Sequence, residues 1–224
     1  MNGRILVFDM DGVLVDVTES YREAVQQTVE QFTGRRVTRE LIQDYKNQGG
    51  WNNDWDLSHH FIKGFGVEVP YGAVVDYFNG IFLGADGLIY REHWVARDGL
   101  LDRLAQRYQL ALFTGRLMVE VQVTLDRFAR SLAFDPIVTA DDGVAPKPSP
   151  EGLLQIARLN PGKRLWYVGD AVDDARSARQ AGVPFIGIAA RSNPLRCDLV
   201  ELFRSENAIA VLDDINQLEG ALPQ

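Results

Sequence analysis

Ile5-Leu6-Val7-Phe8-Asp9-Met10-Asp11-Gly12-Val13-Leu14-Val15-Asp16 is the stretch from which the fold is read. Four apolar residues run straight into two carboxylates one residue apart, and a glycine follows at once. A continuous apolar run of this kind suits a strand buried on both faces, as in a parallel sheet covered by helices on each side. Such a strand offers chemistry at its C-terminal end, where ligands of open α/β sheets sit. Residues i and i+2 of a strand point the same way, so Asp9 and Asp11 are able to face one site. Two like charges held that close call for a cation or a shared proton. Taken alone, the pair also fits a strand capped by solvated acids, with Gly12 as the turn residue. The later strand ends must choose.

Downstream the pattern changes to helical spacing. Tyr21, Ala24, Val25, Thr28, Val29 and Phe32 form one apolar stripe that stops at Gly34. Thr38 is placed to cap a second helix bearing Leu41, Ile42 and Tyr45. Gly49 to Asp56 makes a loop with two tryptophans and two asparagines. Helices resume with Leu57, Phe61, Ile62 and Phe65, and again after Pro70 with Val74, Val75, Phe78, Ile81 and Phe82. Residues 17–95 are therefore expected to be all helical, with no convincing strand. They interrupt a β-α alternation just after its first strand, so they are expected to be an inserted cap domain.

The alternation returns near Asp98. Leu110-Ala111-Leu112-Phe113 reads as a buried strand ending in Thr114-Gly115-Arg116. Pro136-Ile137-Val138-Thr139 is a short strand, followed by a loop with Lys147-Pro148. Ser149-Pro150-Glu151 opens a helix, with Ser149 as N-cap and Pro150 in the first turn. Leu165-Trp166-Tyr167-Val168 is a strand ending in Gly169-Asp170, and an alanine-rich helix carrying Asp173 and Asp174 follows, closed by Gly182. Residues 185–188 and 208–212 are further strands. The expected fold is a Rossmann-like, doubly wound parallel α/β core, residues 1–16 and 96–224, with the helical insertion at 17–95.

Composition bounds the function. The chain of 224 residues is 46% hydrophobic and carries a net charge of −8. That charge argues against nucleic acid or an anionic membrane surface as partner. No run approaches the ~20 apolar residues of a membrane span, and the apolar run at Ile5 is too short for a signal peptide. The single cysteine, Cys197, suits a reducing compartment, so a cytoplasmic location is expected. Oligomeric state stays open between monomer and homodimer.

In a parallel sheet, Asp9, Asp11, Thr114, Lys147, Asp170 and Asp174 all fall at one edge. Carboxylates without His or Cys suit Mg²⁺, and a metal relieves the repulsion among Asp9, Asp11 and Asp170. Lys147, the Thr114 hydroxyl and the backbone N–H groups at Gly12 and Gly115 are suited to phosphate oxygens. Asp9-Met10-Asp11-Gly12-Val13, Thr114-Gly115-Arg116, Lys147-Pro148 and Gly169-Asp170-Ala171-Val172-Asp173-Asp174 resemble, in order, the four motifs of the haloacid dehalogenase superfamily. The insertion after the first motif resembles the cap of the subfamily that includes phosphoglycolate phosphatase and β-phosphoglucomutase.

That resemblance implies a Mg²⁺-dependent phosphatase of a small phosphorylated metabolite. Asp9 is implied as nucleophile, forming an aspartyl phosphate, and Asp11 as the acid–base residue. Asp9, the Asp11 carbonyl and Asp170 are implied as metal ligands, with Asp174 on the metal or its waters. Thr114 and Lys147 are implied to neutralise the phosphoryl group. Asp173 reads better as a helix N-terminal acid. The dehalogenases of this superfamily are implied to lack an acid two residues after the nucleophile, so Asp11 points to a phosphate ester. A phosphomutase with the same intermediate and a non-catalytic phosphometabolite-binding protein are the alternatives.

Substrate choice is expected in the cap. Trp51, Asn52 and Asn53 are candidate contacts; the alternative is that Trp51 and Trp55 pack cap helices while the asparagines make turns. Arg116 reaches either substrate or a cap acid, and Lys46 is expected to be an exposed helix lysine rather than a cap cation for the substrate. His59, His60 and His93 are read as structural or surface residues. The cap's hinges are expected near 15–18 and 93–98.

Overall fold

The computed structural model describes residues 3–223. Strand β1 (Arg4–Phe8) is flanked on one side by β4 (Gln109–Phe113) and β5 (Phe134–Val138), and on the other by β6 (Arg164–Gly169), β7 (Phe185–Ile188) and β8 (Ala210–Leu212). The order is β5-β4-β1-β6-β7-β8, and every pairing is parallel. The chain begins at the centre of the sheet and winds outward both ways. The switch point therefore lies at the C-terminal end of β1, immediately before Asp9.

The alternation of side chains along β1 divides two cores. Ile5 and Val7 face one layer with Leu153 and Ile156 of α7 (Glu151–Leu159), Ala175 and Ala178 of α8 (Val172–Ala181), and Leu199 and Phe203 of α9 (Arg196–Ser205). Leu6 and Phe8 face the other with α5 (Leu100–Ala105), α6 (Met118–Phe128) and α10 (Leu218–Ala221). Helices α1 (Tyr21–Thr33), α2 (Arg39–Gln48), α3 (Asp54–Gly64) and α4 (Tyr71–Leu83) add their apolar faces to this second cluster. Burial of these stripes stabilises by roughly 25 cal/mol per Å² removed from water. No helix among the described residues is long and apolar enough to cross a membrane.

Local signals act as read. Gly34 closes α1, and the Thr38 hydroxyl accepts from the Leu41 N–H at 3.1 Å. Asn53 caps α3, accepting from the N–H groups of Trp55 and Asp56. Three readings change. Helix α7 begins at Glu151, although Ser149 Oγ still accepts from its N–H at 3.3 Å. Strand β5 starts at Phe134, two residues ahead of the proline expected to open it. Pro136 is tolerated because β5 is an edge strand, where a missing N–H donor costs little. Finally, the stretch expected to be all helical ends in β3 (His93–Trp94), which pairs antiparallel with β2 (Val15–Asp16). Two residues per strand are too few for any periodicity to show. This ribbon joins the helical segment to the sheet, and Trp94 stacks on Phe128 of α6 at 5.8 Å.

The loop between α2 and α3 rests on α8. Asp173 Oδ2 accepts from the Gly50 N–H at 2.8 Å, and Arg176 donates to the Gln48 carbonyl at 3.2 Å. Asp173, read as a helix N-terminal acid, thus also pins the loop to the core. Asp173→Ala should raise hydrogen exchange at the Gly50 amide at least about tenfold, as loss of a ~1.5 kcal/mol hydrogen bond to a charged group implies. Mass spectrometry of peptides spanning 48–53 measures this. Helix α7 crosses β4 so closely that a Cβ on Gly152 would lie 2.2 Å from the Phe113 ring. Gly152→Ala should destabilise by about 1–3 kcal/mol through overpacking, read by denaturant titration.

Candidate active site

The ends of β1, β4 and β6 converge on a cavity of about 300 Å³. Asp9 continues β1, its N–H donating to the Val168 carbonyl at 2.8 Å. Thr114 continues β4 in the same way, toward the Val138 carbonyl at 3.0 Å. Gly12 turns the chain back with φ +69°, and a Cβ there would lie 1.9 Å from Asp170 Oδ2. Only glycine lets the first and fourth motifs approach this closely.

Lys147 lies between two carboxylates. Its ammonium stands 2.8 Å from Asp9 Oδ1 and 2.8 Å from Asp174 Oδ1, and the residue is 4% exposed. It sits above the rings of Phe113, at 4.9 Å, and Tyr167, at 5.5 Å. Burial alone would lower its pKa; Asp174 and Asp9 outweigh that and raise it, so it stays protonated. Asp9 is pushed up to about 7, chiefly by burial, with Lys147 opposing and the Asp174 and Asp11 carboxylates adding to the rise. Asp170 is raised by burial first, then by the Asp9, Asp174 and Asp11 carboxylates, with Arg22 opposing.

Asp9, Asp170 and Asp174 bring carboxylate oxygens within 4.8 Å of one another. Three carboxylates against one ammonium leave excess negative charge in a buried place. An oxygen-only donor set with that excess fits a hard divalent cation. The three acids are not equivalent, however. Asp174 Oδ1 receives the Tyr167 hydroxyl at 2.6 Å as well as Lys147, and its Oδ2 accepts from the N–H groups of Asp170 and Ala171. Expected on the metal or its waters, Asp174 already holds the lysine and closes the turn that presents Asp170.

Around the cavity the expected residues separate. Asp9, Asp11, Thr114, Gly115, Arg116, Lys147, Asn52 and Asn53 line it, as does Asp170. Asn52 approaches Gly115 so closely that a Cβ on that glycine would meet its Nδ2 at 3.0 Å. Trp51 is not among the lining residues. Its ring packs 4.4 Å from His60 and edge-on to Tyr45, whereas Trp55 faces the cavity. Helix α3 begins between the two tryptophans and turns them to different sides.

Lys46 corrects the expectation of an exposed lysine. It is 9% exposed, pairs with Asp54 at 2.8 Å and lines the cavity. Arg22, Gln43, Tyr21 and Glu120 also line it, and none was singled out for the site from the sequence. Tyr21 was read as part of the α1 apolar stripe; the one signal of the other three was polarity beside such a stripe, which any solvated helix face shows. Arg116, left open above, is 1% exposed and pairs with both Asp11 and Glu92.

A family model described as haloacid dehalogenase-like hydrolase matches residues 6–188. The chain is 33% identical, over 82% of its length, to a Phytophthora nicotianae protein named imidazoleglycerol-phosphate dehydratase, but spans only 42% of that protein. It is 25% identical to a phosphoglycolate phosphatase of Pseudomonas putida, covering 96% of this chain and 78% of that one. Among solved structures, phosphatase Tt82 from Thermococcus thioreducens aligns over 90% of this chain and 98% of its own, with a TM-score of 0.66 and 25% identity. With a family model spanning both ends of the site and the sheet that carries them, this chain belongs to the haloacid dehalogenase-like hydrolases.

Proposed function

We propose that the protein is a Mg²⁺-dependent phosphatase of a small phosphorylated metabolite, acting through an aspartyl phosphate on Asp9. The observation that carries this reading is the Lys147 ammonium fixed 2.8 Å from the Asp9 carboxylate on the wall of a small cavity. A phosphoryl group seated there meets a nucleophile and a buried cation together. Phosphoryl transfer needs positioning and charge neutralisation above all. The phosphatase names among the relatives support the same reading.

In the first step an Asp9 oxygen attacks phosphorus, the ester P–O bond breaks, and Asp11 gives a proton to the leaving oxygen. In the second, Asp11 takes a proton from water, whose oxygen attacks the aspartyl phosphate and releases inorganic phosphate and the Asp9 carboxylate. Lys147 and the Thr114 hydroxyl neutralise the phosphoryl oxygens in both steps. Asp9, Asp170 and the Asp11 carbonyl would hold Mg²⁺, which supplies further positive charge to the phosphoryl group. Asp174, whose carboxylate belongs to the same cluster, would meet the metal or its waters while it fixes Lys147 and the turn at Asp170.

The helical segment acts as a cap, and its wall names the class of leaving group. Arg22, Gln43, Lys46, Asn52 and Asn53 present charge and amide groups, and Trp55 an aromatic face. A compact polar leaving group fits them, in a cavity at the small end of the ligand-site range.

Asp9→Asn should abolish phosphate release from a panel of metabolite esters while circular dichroism stays native. The wild type, quenched within milliseconds, should carry a hydroxylamine-labile phosphoryl group that the variant lacks. Accumulation of an isomeric ester in place of phosphate would instead show a mutase. Chelation should silence the enzyme, and added Mg²⁺ restore it. Trp55→Ala should alter the ranking of substrates; Trp51→Ala should lower stability and leave the ranking alone.

A further inference from the structure

Arg116 follows the Thr114 motif by two residues and is among the most deeply buried charges of the described chain. Its guanidinium is fully occupied. Nε and Nη2 both meet Asp11 Oδ1, at 2.7 and 2.5 Å. Nη2 also meets Glu92 Oε1 at 2.6 Å, and Nη1 donates to Thr124 Oγ1 at 2.8 Å and to Glu92 Oε2 at 3.3 Å. Thr124 in turn donates to Glu92 Oε2 at 2.9 Å. The Tyr21 ring covers the guanidinium, its centroid 5.1 Å from Cζ.

A side chain so engaged has no donor to offer a substrate. Besides Asp11 and Thr124 of α6, its partners lie on the two connections between the helical segment and the sheet. Tyr21 opens α1, just after β2, and Glu92 precedes β3. The second connection is held independently: Arg127 of α6 donates to the carbonyls of Ile89 and Tyr90 at 2.7 and 2.9 Å. Both contacts with Asp11 fall on one oxygen, Oδ1, while Asp11 itself lines the cavity and remains 31% exposed at its side chain. Oδ2 takes part in neither contact.

We propose that Arg116 is a positioning residue, anchored by Glu92 and Thr124, that grips Asp11 by Oδ1 and aims Oδ2 at the leaving oxygen, so that the two connecting segments set the orientation of the acid–base carboxylate. The inference rests on the acid role given to Asp11 above. A planar fork with two fixed partners suits that task, and a lysine does not supply it, being a point charge on a flexible stem.

The test measures the rate of phosphoenzyme formation by rapid quench, with Mg²⁺ present, for two esters. One is an alkyl phosphate, whose leaving oxygen needs a proton; the other is p-nitrophenyl phosphate, whose leaving group does not. Arg116→Lys keeps a cation beside Glu92. It should slow the alkyl ester about tenfold or more, within the range of general acid catalysis, and the nitrophenyl ester less than about threefold. Glu92→Gln, which loosens Arg116 without removing it, should show the same imbalance, and it carries the test should Arg116→Lys not fold. In an Asp11→Asn background, Arg116→Lys should cause no further loss, because both changes remove one function.

Equal slowing of the two esters, or losses that multiply in the Asp11→Asn background, would overturn the positioning role. If Asp11→Asn alone slows both esters alike, the acid role of Asp11 falls, and this inference with it. That result is separable, since it needs no change at Arg116.

Discussion

Burial of Lys147 between Asp9 and Asp174 is the constraint on which this structure turns. An ammonium taken out of water costs several kcal/mol unless carboxylates meet it at close range. The carboxylates, equally buried, resist ionisation unless a cation meets them. Neither side is tolerable without the other, so the loop that carries Lys147 and the strands that carry the acids must come together. Tyr167 and Phe113 close the arrangement from below, and Gly12 is what lets Asp170 complete it. The excess negative charge that remains is the physical ground for a cation at this place.

The helical segment is tied to this centre on two sides. The α2–α3 loop is fixed to α8 through Asp173 and Arg176, beside the helix turn that presents Asp174. On either side of the helical segment, Tyr21 at the start of α1 and Glu92 just before β3 meet Arg116. Cavity-lining residues on α1 to α3 are thereby held in register with groups at the strand ends. A site assembled from two such parts needs both sets of ties, because positional error of about 1 Å at a reacting centre costs heavily in rate.

On the proposed reading, specificity and chemistry come from different parts of the chain. The strand ends would supply the groups that handle the phosphoryl group. The cavity wall contributed by the helices would distinguish one leaving group from another; its Lys46 is paired with Asp54, while Arg116, just beyond β4, is paired with Asp11 and Glu92. Paired charges of this kind hold shape as well as bind ligands, so the cavity is preformed.

The amino-acid sequence by itself determined the parallel sheet, because runs such as Ile5 to Phe8 and Leu165 to Val168 are apolar on both faces and can be buried only between helices. It also determined which groups stand at the strand ends, since acids and glycines that follow such runs have nowhere else to lie. It could not show that Asp174 would also be met by Lys147, Tyr167 and two backbone amides, for that needs the packing of a loop and a strand beside the α8 turn. Nor could it show that Trp51 would turn away while Trp55 faced the cavity, because the exact start of α3 decides that. Lys46 and Arg116 were legible as charges but not as buried ones. Periodicity reports which face of an element is apolar, and only the packing of one element on another decides which polar residue is carried inside and what meets it there.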